Sequence, residues 1–347
     1  MPNSRFATRT SKKLVALTGG TGRLGRVLVP MLLKKDLRLR LLVRDAAKAK
    51  KIFLKQVGAG EIELIECDLL DSGAKNLLLL ARALRGTSAV VHLAALVDIG
   101  ASSAELYRNN VAATKNLLEA SRRACAKKFV YCSSTAVYGT PAQAPADEAT
   151  PFKPIYAYGS SKMHAEMEVA AAGIPHVILR PSVIYGKNMA TQFDSMLTAI
   201  ERGKARIVGE GNNLLPFVHE EDVARAFALA VINPSALGDF IISDEARLTQ
   251  KQALEIVARE LGVPAPAKHA SVAFAKLAAL LHSWFSKLRG RKPHFTPELV
   301  ELTAANRVFS SAKARKLLGW RPEKRVLAEL PAMVREWKKS FSKIICE

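Results

Sequence analysis

The pair best suited to proton transfer in this chain is a tyrosine and a lysine four residues apart, in Tyr158-Gly159-Ser160-Ser161-Lys162. On a helix that spacing places both side chains on one face. A phenol ordinarily titrates near pH ~10, too high for a base near neutrality. A nearby ammonium favours the phenolate and lowers that value, so that Tyr158 can take a proton from a hydroxyl or give one to a carbonyl. Lys162 can also hydrogen-bond a nicotinamide ribose. Alone, such a pair is a common coincidence; its weight comes from following a strand-like run, Lys128-Phe129-Val130-Tyr131-Cys132. Ser133-Ser134-Thr135 leaves the end of that run, and ligands of open α/β sheets bind beyond the carboxyl ends of strands. A hydroxyl there can hold a reacting oxygen. Ser134 is the first choice, and Ser133 or Thr135 can share the role.

A second constellation lies near the start. Thr18-Gly19-Gly20-Thr21-Gly22-Arg23-Leu24-Gly25 follows the apolar run Leu14-Val15-Ala16-Leu17 and opens an amphipathic one, which reads as strand, tight turn and helix. Gly19 allows the turn, Gly22 allows close approach of the main chain to a pyrophosphate, and Gly25 allows the helix to pack on the strand. The free N–H groups and positive dipole end of that helix favour a phosphate pair. The spacing is G-x-x-G-x-x-G, a variant of the dinucleotide-binding fingerprint. Gly19, Thr21, Gly22, Arg23, Leu24 and Gly25 are its candidate cofactor-binding residues.

Cofactor choice is set at the end of the second strand, where an arginine can hold a 2′-phosphate and a carboxylate favours a free 2′-hydroxyl. Here Val43-Arg44 is followed by Asp45, and Lys48, Lys50 and Lys51 add positive field. This favours NADP, with NAD the second choice should Asp45 point inward. Asp68-Leu69 closes the third strand; Asp68 can accept from an adenine amino group or cap the next helix.

The elements that must position these groups follow from periodicity. Leu39–Val43, Ile62–Cys67, Ala89–Leu93, Lys128–Cys132 and Val177–Leu179 read as further strands, with helices at Ala46–Val57 and Ala104–Ala126. Short apolar strands alternating with helices predict a doubly wound parallel α/β sheet of Rossmann type. After Pro181 helices dominate, with short extended pieces at Ala205–Val208 and Asp239–Ile242. The expected organisation is a basic tail over 1–12, a dinucleotide-binding domain over 13–182 and a smaller substrate lobe over 183–347, with 216–232 able to return to the first domain.

The chain has 347 residues, 49% of them hydrophobic, and four scattered cysteines, which argues for a folded protein in a reducing compartment. No run is long enough to span a bilayer, and no cysteine or histidine spacing suggests a metal. The net charge of +21 is dispersed and matches no nucleic-acid module. His92 and His219 read as structural.

Taken together the motifs resemble the extended short-chain dehydrogenase/reductase superfamily along nearly the whole chain. The similar stretches are the glycine turn, Asp68-Leu69, His92-Leu93-Ala94-Ala95, Asn110-Val111-Ala112-Ala113-Thr114, Ser133 to Gly139, Tyr158 to Lys162, Leu179 to Gly186 and Phe217 to Ala224. The resemblance implies Ser134, Tyr158 and Lys162 as catalytic residues and a homodimer through the helices near Ala104–Ala126 and Tyr158–Ala172. It implies that Leu93, Ala94 and Ala95 line the cofactor cleft, that Asn110 secures a helix and active-site water, and that Pro181, Ser182 and Val183 meet the nicotinamide carboxamide. Ala113 departs from the glycine many members carry and puts nothing catalytic in doubt.

Arg180-Pro181, the basic end of the second strand and the tail from Gly290 to Pro322 pull the resemblance toward the 3β-hydroxysteroid dehydrogenase and dihydroflavonol reductase-like branch. That implies oxidation or reduction of an apolar, steroid- or isoprenoid-like substrate. The alternative is a nucleotide-sugar epimerase or dehydratase that recycles its cofactor; a non-catalytic cofactor sensor is the third reading. Phe274, Leu277, Leu281, Trp284, Phe285 and Leu288 recur at helical spacing between basic residues. Segment 272–292 therefore reads either as a core or lid helix or as a helix lying in a membrane interface. The expected location is cytoplasmic, with peripheral membrane contact in the second case.

Overall fold

In the computed structural model, which describes residues 12–293 and 295–345, strand and helix alternate from the glycine turn onward. The first half runs β1 (Leu14–Thr18), α1 (Arg23–Leu33), β2 (Arg38–Val43), α2 (Ala46–Ile52), α3 (Leu54–Gly58), β3 (Ile62–Glu66), α4 (Ala74–Leu84), β4 (Ala89–His92), α5 (Ser103–Leu106), α6 (Ala113–Arg123), β5 (Phe129–Cys132), α7 (Ala157–Ala171) and β6 (His176–Pro181). The second half runs β7 (Val183–Tyr185), α8 (Asp194–Glu201), β8 (Ile207–Val208), β9 (Phe217–His219), α9 (Glu220–Ile232), β10 (Gly238–Ile242), α10 (Gln250–Leu261), β11 (His269–Ala270), α11 (Val272–Leu288), α12 (Pro297–Ala304) and α13 (Val326–Ile345). Residues 1–11 of the expected basic tail lie outside the described residues; Lys12 pairs with Asp36 at 2.8 Å.

Seven strands form one parallel sheet in the order β10-β6-β5-β4-β1-β2-β3. Both faces are buried, and successive residues alternate between them. Val15, Leu17, Val91 and Val130 face the core shared with α1 and α9, while Ala16, Val90, Phe129 and Tyr131 face the core shared with α4, α6 and α7. A fully buried valine or leucine contributes about 1.5–3 kcal/mol, so both layers hold the register that aligns the strand ends. The chain fills β2 and β3 on one side of β1, then crosses to β4, β5 and β6 on the other. The order reverses between β1 and β4, and the carboxyl ends of the strands open a crevice there.

Three elements differ from the sequence reading. Asp239–Ile242 was expected in the smaller lobe; β10 is instead the edge strand of the main sheet, with Gly238–Ile242 paired to Val177–Pro181. Phe240 and Ile242 bury on the α9 face and Ile241 on the other, so the strand needs a sheet edge to lie against. The helix expected over Ala104–Ala126 is broken by a π-helical turn, Tyr107–Ala112, between α5 and α6. The helix expected over Ala46–Val57 breaks at Phe53, whose ring is buried against the sheet.

A separate core joins α8, α10 and α13 through Leu197, Ile256, Val257, Val334 and Trp337. Asp222, fully buried at the start of α9, fastens the chain before α13: its carboxylate accepts from the amides of Glu323 and Lys324 at 3.0–3.1 Å. His219 caps α9 by accepting from the Glu221 amide at 3.3 Å, a structural role.

Candidate active site

After β1 the chain turns through Gly19, whose φ is +73° and where a Cβ would stand 2.7 Å from the Ala94 amide nitrogen. A Cβ on Gly25 would overlap the Gly19 carbonyl oxygen, so hydrogen alone lets α1 start this close to the strand. Gly22 precedes α1 with no side-chain cap and no acid in the first turn. The first-turn amides and the positive dipole end are therefore open to an anion. Thr21 is half-buried and Arg23 exposed. Leu24 sends its side chain into the core, which leaves its main chain to face the turn.

The other candidate cofactor residues stand at the carboxyl ends of neighbouring strands. Arg44 is exposed at the end of β2, and Lys51 is exposed on α2. Asp45 is committed elsewhere: its Oδ1 accepts from the Lys48 amide at 2.7 Å and caps α2. Asp68 closes a turn by accepting from the Leu70 amide at 2.9 Å, while Gly73 precedes α4. The Leu69 carbonyl accepts from Asn116 at 2.8 Å. Leu93, Ala94 and Ala95 follow β4 half-buried. Pro181, Ser182 and Val183 link β6 to β7, and the buried hydroxyl of Ser182 has no partner among the described residues. Neither has that of Ser133 after β5. Buried hydroxyls are normally satisfied. An uncapped helix, a cradle that a Cβ would fill and two unpartnered hydroxyls at the same sheet edge fit a dinucleotide.

Ser134 leaves β5 extended, and its hydroxyl accepts from the Ala136 amide at 3.1 Å to cap a short 3-10 turn, Thr135–Tyr138. Tyr158 and Lys162 lie in the first two turns of α7. Gly159, between them, meets that 3-10 turn so closely that a Cβ would stand 2.5 Å from the Ala136 carbonyl oxygen. The contact brings Tyr158 to Ser134. Burial pushes the Tyr158 phenol well above its ordinary value, with Tyr156 and Cys132 adding to the rise and the Ser134 hydroxyl opposing it.

Lys162 stands beside Tyr158 and is anchored on neighbouring groups. Its Nζ donates to the Cys132 carbonyl at 2.7 Å and to the Tyr131 hydroxyl at 3.4 Å, and stands 6.0 Å from the Tyr158 ring centroid. Burial lowers the Lys162 value, opposed by Cys132 and Glu166. Asn110 is spent on protein groups rather than on the cleft. Its Oδ1 accepts from the Leu96 amide at 2.7 Å, and its Nδ2 donates to the Leu96 carbonyl at 3.0 Å and Ser161 Oγ at 2.9 Å. That makes it a positioning residue, tying the π-turn to α7 and to the loop after β4.

Behind the site runs a polar chain that the sequence did not reveal. The Ala94 amide donates to Thr18 Oγ1 at 3.3 Å, Thr18 Oγ1 lies 2.7 Å from His92 Nδ1, and His92 Nε2 lies 3.0 Å from Thr114 Oγ1. Thr114 Oγ1 donates to the Asn110 carbonyl at 2.6 Å. Because Thr114 Oγ1 donates to the Asn110 carbonyl, Nε2 carries a proton, and burial favours the neutral ring with Nδ1 accepting from Thr18. Burial, helped by the charge of Lys162, lowers the His92 value from 6.5 to about 3. The unfolded chain therefore takes up this proton first. Stability is unaffected above pH 6.5 and falls as pH drops toward 3, by about 1.4 kcal/mol per unit. NMR of the His92 ring should show no titration between pH 8 and 5; a midpoint near its ordinary value would contradict the assignment.

A second buried network fixes the far side of α7. Glu166, one turn beyond Lys162, accepts from Arg180 Nη2 at 2.7 Å and Nε at 3.1 Å, and Arg180 Nη1 donates to Tyr138 Oη at 2.6 Å and Asp239 Oδ2 at 2.7 Å. Among the described residues no cluster of His, Cys, Asp and Glu is arranged to hold a metal.

Comparison with known proteins identifies the family. The chain is 26% identical over 343 residues to 3beta-hydroxysteroid-dehydrogenase/decarboxylase isoform 1 of Arabidopsis thaliana, covering 90% of this chain and 76% of that protein. It is 28% identical over 242 residues to N-acetyl-alpha-D-glucosaminyl-diphospho-ditrans,octacis-undecaprenol 4-epimerase of Escherichia coli O157:H7, covering 67% and 73%. UDP-glucuronic acid 4-epimerase from Bacillus cereus, solved in complex with NAD, shares the fold at a TM-score of 0.73 and 20% identity, over 94% of this chain and 99% of that one. Residues 15–242 match the NAD dependent epimerase/dehydratase family. With that match on a parallel Rossmann sheet, the chain belongs to the NAD-dependent epimerase/dehydratase family of the extended short-chain dehydrogenases/reductases, and is an enzyme whose pattern lies with the 3β-hydroxysteroid dehydrogenase-like branch.

Proposed function

We propose that the enzyme interconverts a secondary alcohol and a ketone on an apolar, steroid- or isoprenoid-like substrate, using NADP. The observation that carries this reading is the meeting of Ser134, Tyr158 and Lys162 at the carboxyl end of β5, beside the open crevice. When bound, the nicotinamide supplies or accepts the hydride. The residues of the glycine turn hold its phosphates, Leu93 to Ala95 and Pro181 to Val183 line its cleft, and Asp68 and Leu69 flank the adenine. Ser134 donates to the substrate oxygen and holds it against Tyr158. Tyr158, kept protonated by burial, gives its proton to that oxygen in reduction and recovers it in oxidation. The Lys162 ammonium, held by the Cys132 carbonyl, stabilises the phenolate left behind. For the cofactor, exposed Arg44 backed by Lys48, Lys50 and Lys51 supports NADP over NAD, since Asp45 is committed to the α2 cap.

Helix α11 supports the apolar substrate. It buries Ala275 and Ala279 and leaves Phe274, Leu277, Leu280, Leu281, Trp284, Phe285 and Leu288 50–65% exposed. A core helix does not present such a face. Lys276, Lys287, Arg289, Arg291 and Lys292 flank it, and Lys292 pairs with Asp98 at 3.1 Å, which ties the end of α11 to the loop beyond Leu93 to Ala95. No helix among the described residues is long and apolar enough to cross a membrane. The reading is a helix resting on a cytoplasmic leaflet and opening the site toward lipid. Cosedimentation with phosphatidylserine vesicles at low salt is expected, with Trp284→Glu weakening it roughly tenfold; a protein that stays in the supernatant would rule membrane contact out. A homodimer through α6 and α7 belongs to the same reading, supported by exposed Met167 on α7.

A nucleotide-sugar epimerase or dehydratase is the second reading, supported by the family's breadth and by the relative from Escherichia coli. Nicotinamide absorbance with NADPH and NADH separates the two, run against hydroxy and keto lipids and against nucleotide sugars. Net cofactor turnover with a lipid is expected; a sugar changed without net turnover would move the enzyme to the other branch.

A further inference from the structure

The loop after β4, from Leu96 to Ala101, leads from the residues that line the cofactor cleft toward α5, and it carries apolar side chains into solvent. Val97 is 66% exposed and Ile99 41%. Asp98 stands between them and holds the chain just beyond α11: Lys292 Nζ donates to Asp98 Oδ2 at 3.1 Å and to Glu105 Oε1 at 3.3 Å. The main chains also meet there, since a Cβ on Gly100 would stand 2.7 Å from the Pro293 carbonyl oxygen. Lys292 follows closely on Leu288, the last of the exposed apolar residues of α11. The loop therefore extends the apolar face of that helix, and the bridge through Lys292 closes the seam between the two.

The same carboxylates organise the loop from within. Asp98 Oδ1 accepts from the Gly100 amide at 2.9 Å, and Glu105 Oε2 accepts from the Ser102 amide at 2.9 Å in the capping box of α5. At the start of the loop, the Leu96 amide and carbonyl are held by Asn110, which also bonds Ser161 between Tyr158 and Lys162. The grip of Lys292 thus bears on a loop whose other end lines the cleft. The side chains of the bridge are themselves partly exposed to solvent. Exposed ion pairs hold weakly and are screened by salt, which suits a contact that must open.

The charges around the seam suit an anionic surface. From Ser271 to Pro293 the chain has no acid, and Lys287, Arg289 and Arg291 are exposed near Lys292. An anionic leaflet attracts basic groups beside it and repels acidic ones. It therefore offers Lys292 new partners while pushing Asp98 and Glu105 away. We propose that the Asp98–Lys292–Glu105 bridge is a latch on the route of a lipid substrate, closed in solution and released when α11 settles on an anionic membrane, so that the substrate passes between α11 and the loop. The proposal rests on the reading that α11 lies on a membrane. With the latch released, Val97 and Ile99 join Trp284 and Phe285 at the acyl boundary.

Hydrogen exchange over residues 96–105 of the full-length protein reads the latch without turnover, and cosedimentation reads membrane contact separately. The probes are vesicles containing phosphatidylserine and vesicles of phosphatidylcholine alone. The variants are Lys292→Met and the double variant Asp98→Asn with Glu105→Gln, whose amide oxygens still accept from Gly100 and Ser102 while the charges that hold Lys292 are gone. Anionic vesicles should speed exchange in wild type roughly 3–10-fold. Phosphatidylcholine alone should not, and both variants should exchange at the faster rate with no vesicles present. Either variant decides if the other does not fold. Wild type that sediments with anionic vesicles while 96–105 exchanges as in solution overturns the latch and leaves the membrane reading standing. Variants no faster than wild type overturn it too, as does equal acceleration by phosphatidylcholine alone. Wild type that stays in the supernatant ends the membrane reading, and the release with it.

Discussion

Tyr158→Phe is expected to lower turnover by about 10²–10⁴-fold while leaving cofactor affinity within about twofold. The substitution removes one oxygen and keeps the ring that packs against Tyr156. Ser134 remains as a donor to the substrate oxygen, and Lys162 remains on the Cys132 carbonyl, so the site keeps its shape and loses its proton. Because burial favours the protonated phenol, the group removed is the proton donor of carbonyl reduction, and the loss should be read in that direction. NADPH fluorescence titration reads binding, and single-turnover kinetics reads chemistry. Tyr158→Phe with wild-type turnover would remove Tyr158 from the mechanism.

Arg180→Met is expected to lower stability by about 3–5 kcal/mol. The guanidinium is 5% exposed and its partner Glu166 is 3% exposed, so the variant leaves a carboxylate buried without its cation. Asp239 suffers less, since Lys313 still pairs with it at 3.1 Å. The melting temperature should fall by roughly 5–10 °C. Glu166→Leu added to Arg180→Met should recover most of that loss, because two apolar side chains replace a broken pair. Since Glu166 follows Lys162 by one turn of α7, the single variant should also slow turnover more than its stability alone requires. A single variant as stable as wild type would show that the network does not hold α7.

The parts of the enzyme that sequence alone conveyed are those fixed by short-range spacing. The glycine turn, the strand runs from β1 to β6 and the pair Tyr158 and Lys162 lie within a few residues of the features that define them. Parallel pairing then carries Ser134, Leu93 and Pro181 to one sheet edge without further information. What escaped depends on distant partners. The π-turn exists because Asn110 bonds Leu96 and Ser161, the latter 51 positions away. The anchor of Lys162 is the carbonyl of Cys132, and main-chain acceptors leave no mark in a sequence. Strand β10 was legible as an extended piece, Asp239–Ile242, and only burial on both faces assigns it to the edge of the main sheet. For α11 the apolar spacing was plain, yet periodicity does not say whether a face meets protein or solvent; the exposure of Phe274 and Leu288 does.

The most direct test of the proposed chemistry follows one hydrogen. NADPH bearing deuterium at the transferable position of nicotinamide C4 would be incubated with the enzyme and a keto lipid, and the recovered product examined by mass spectrometry. Deuterium on the new carbinol carbon, with one oxidised cofactor formed for each product, is the predicted result. A nucleotide sugar altered at a carbinol centre while the labelled cofactor is recovered unchanged would contradict it, because the enzyme would then recycle its hydride internally.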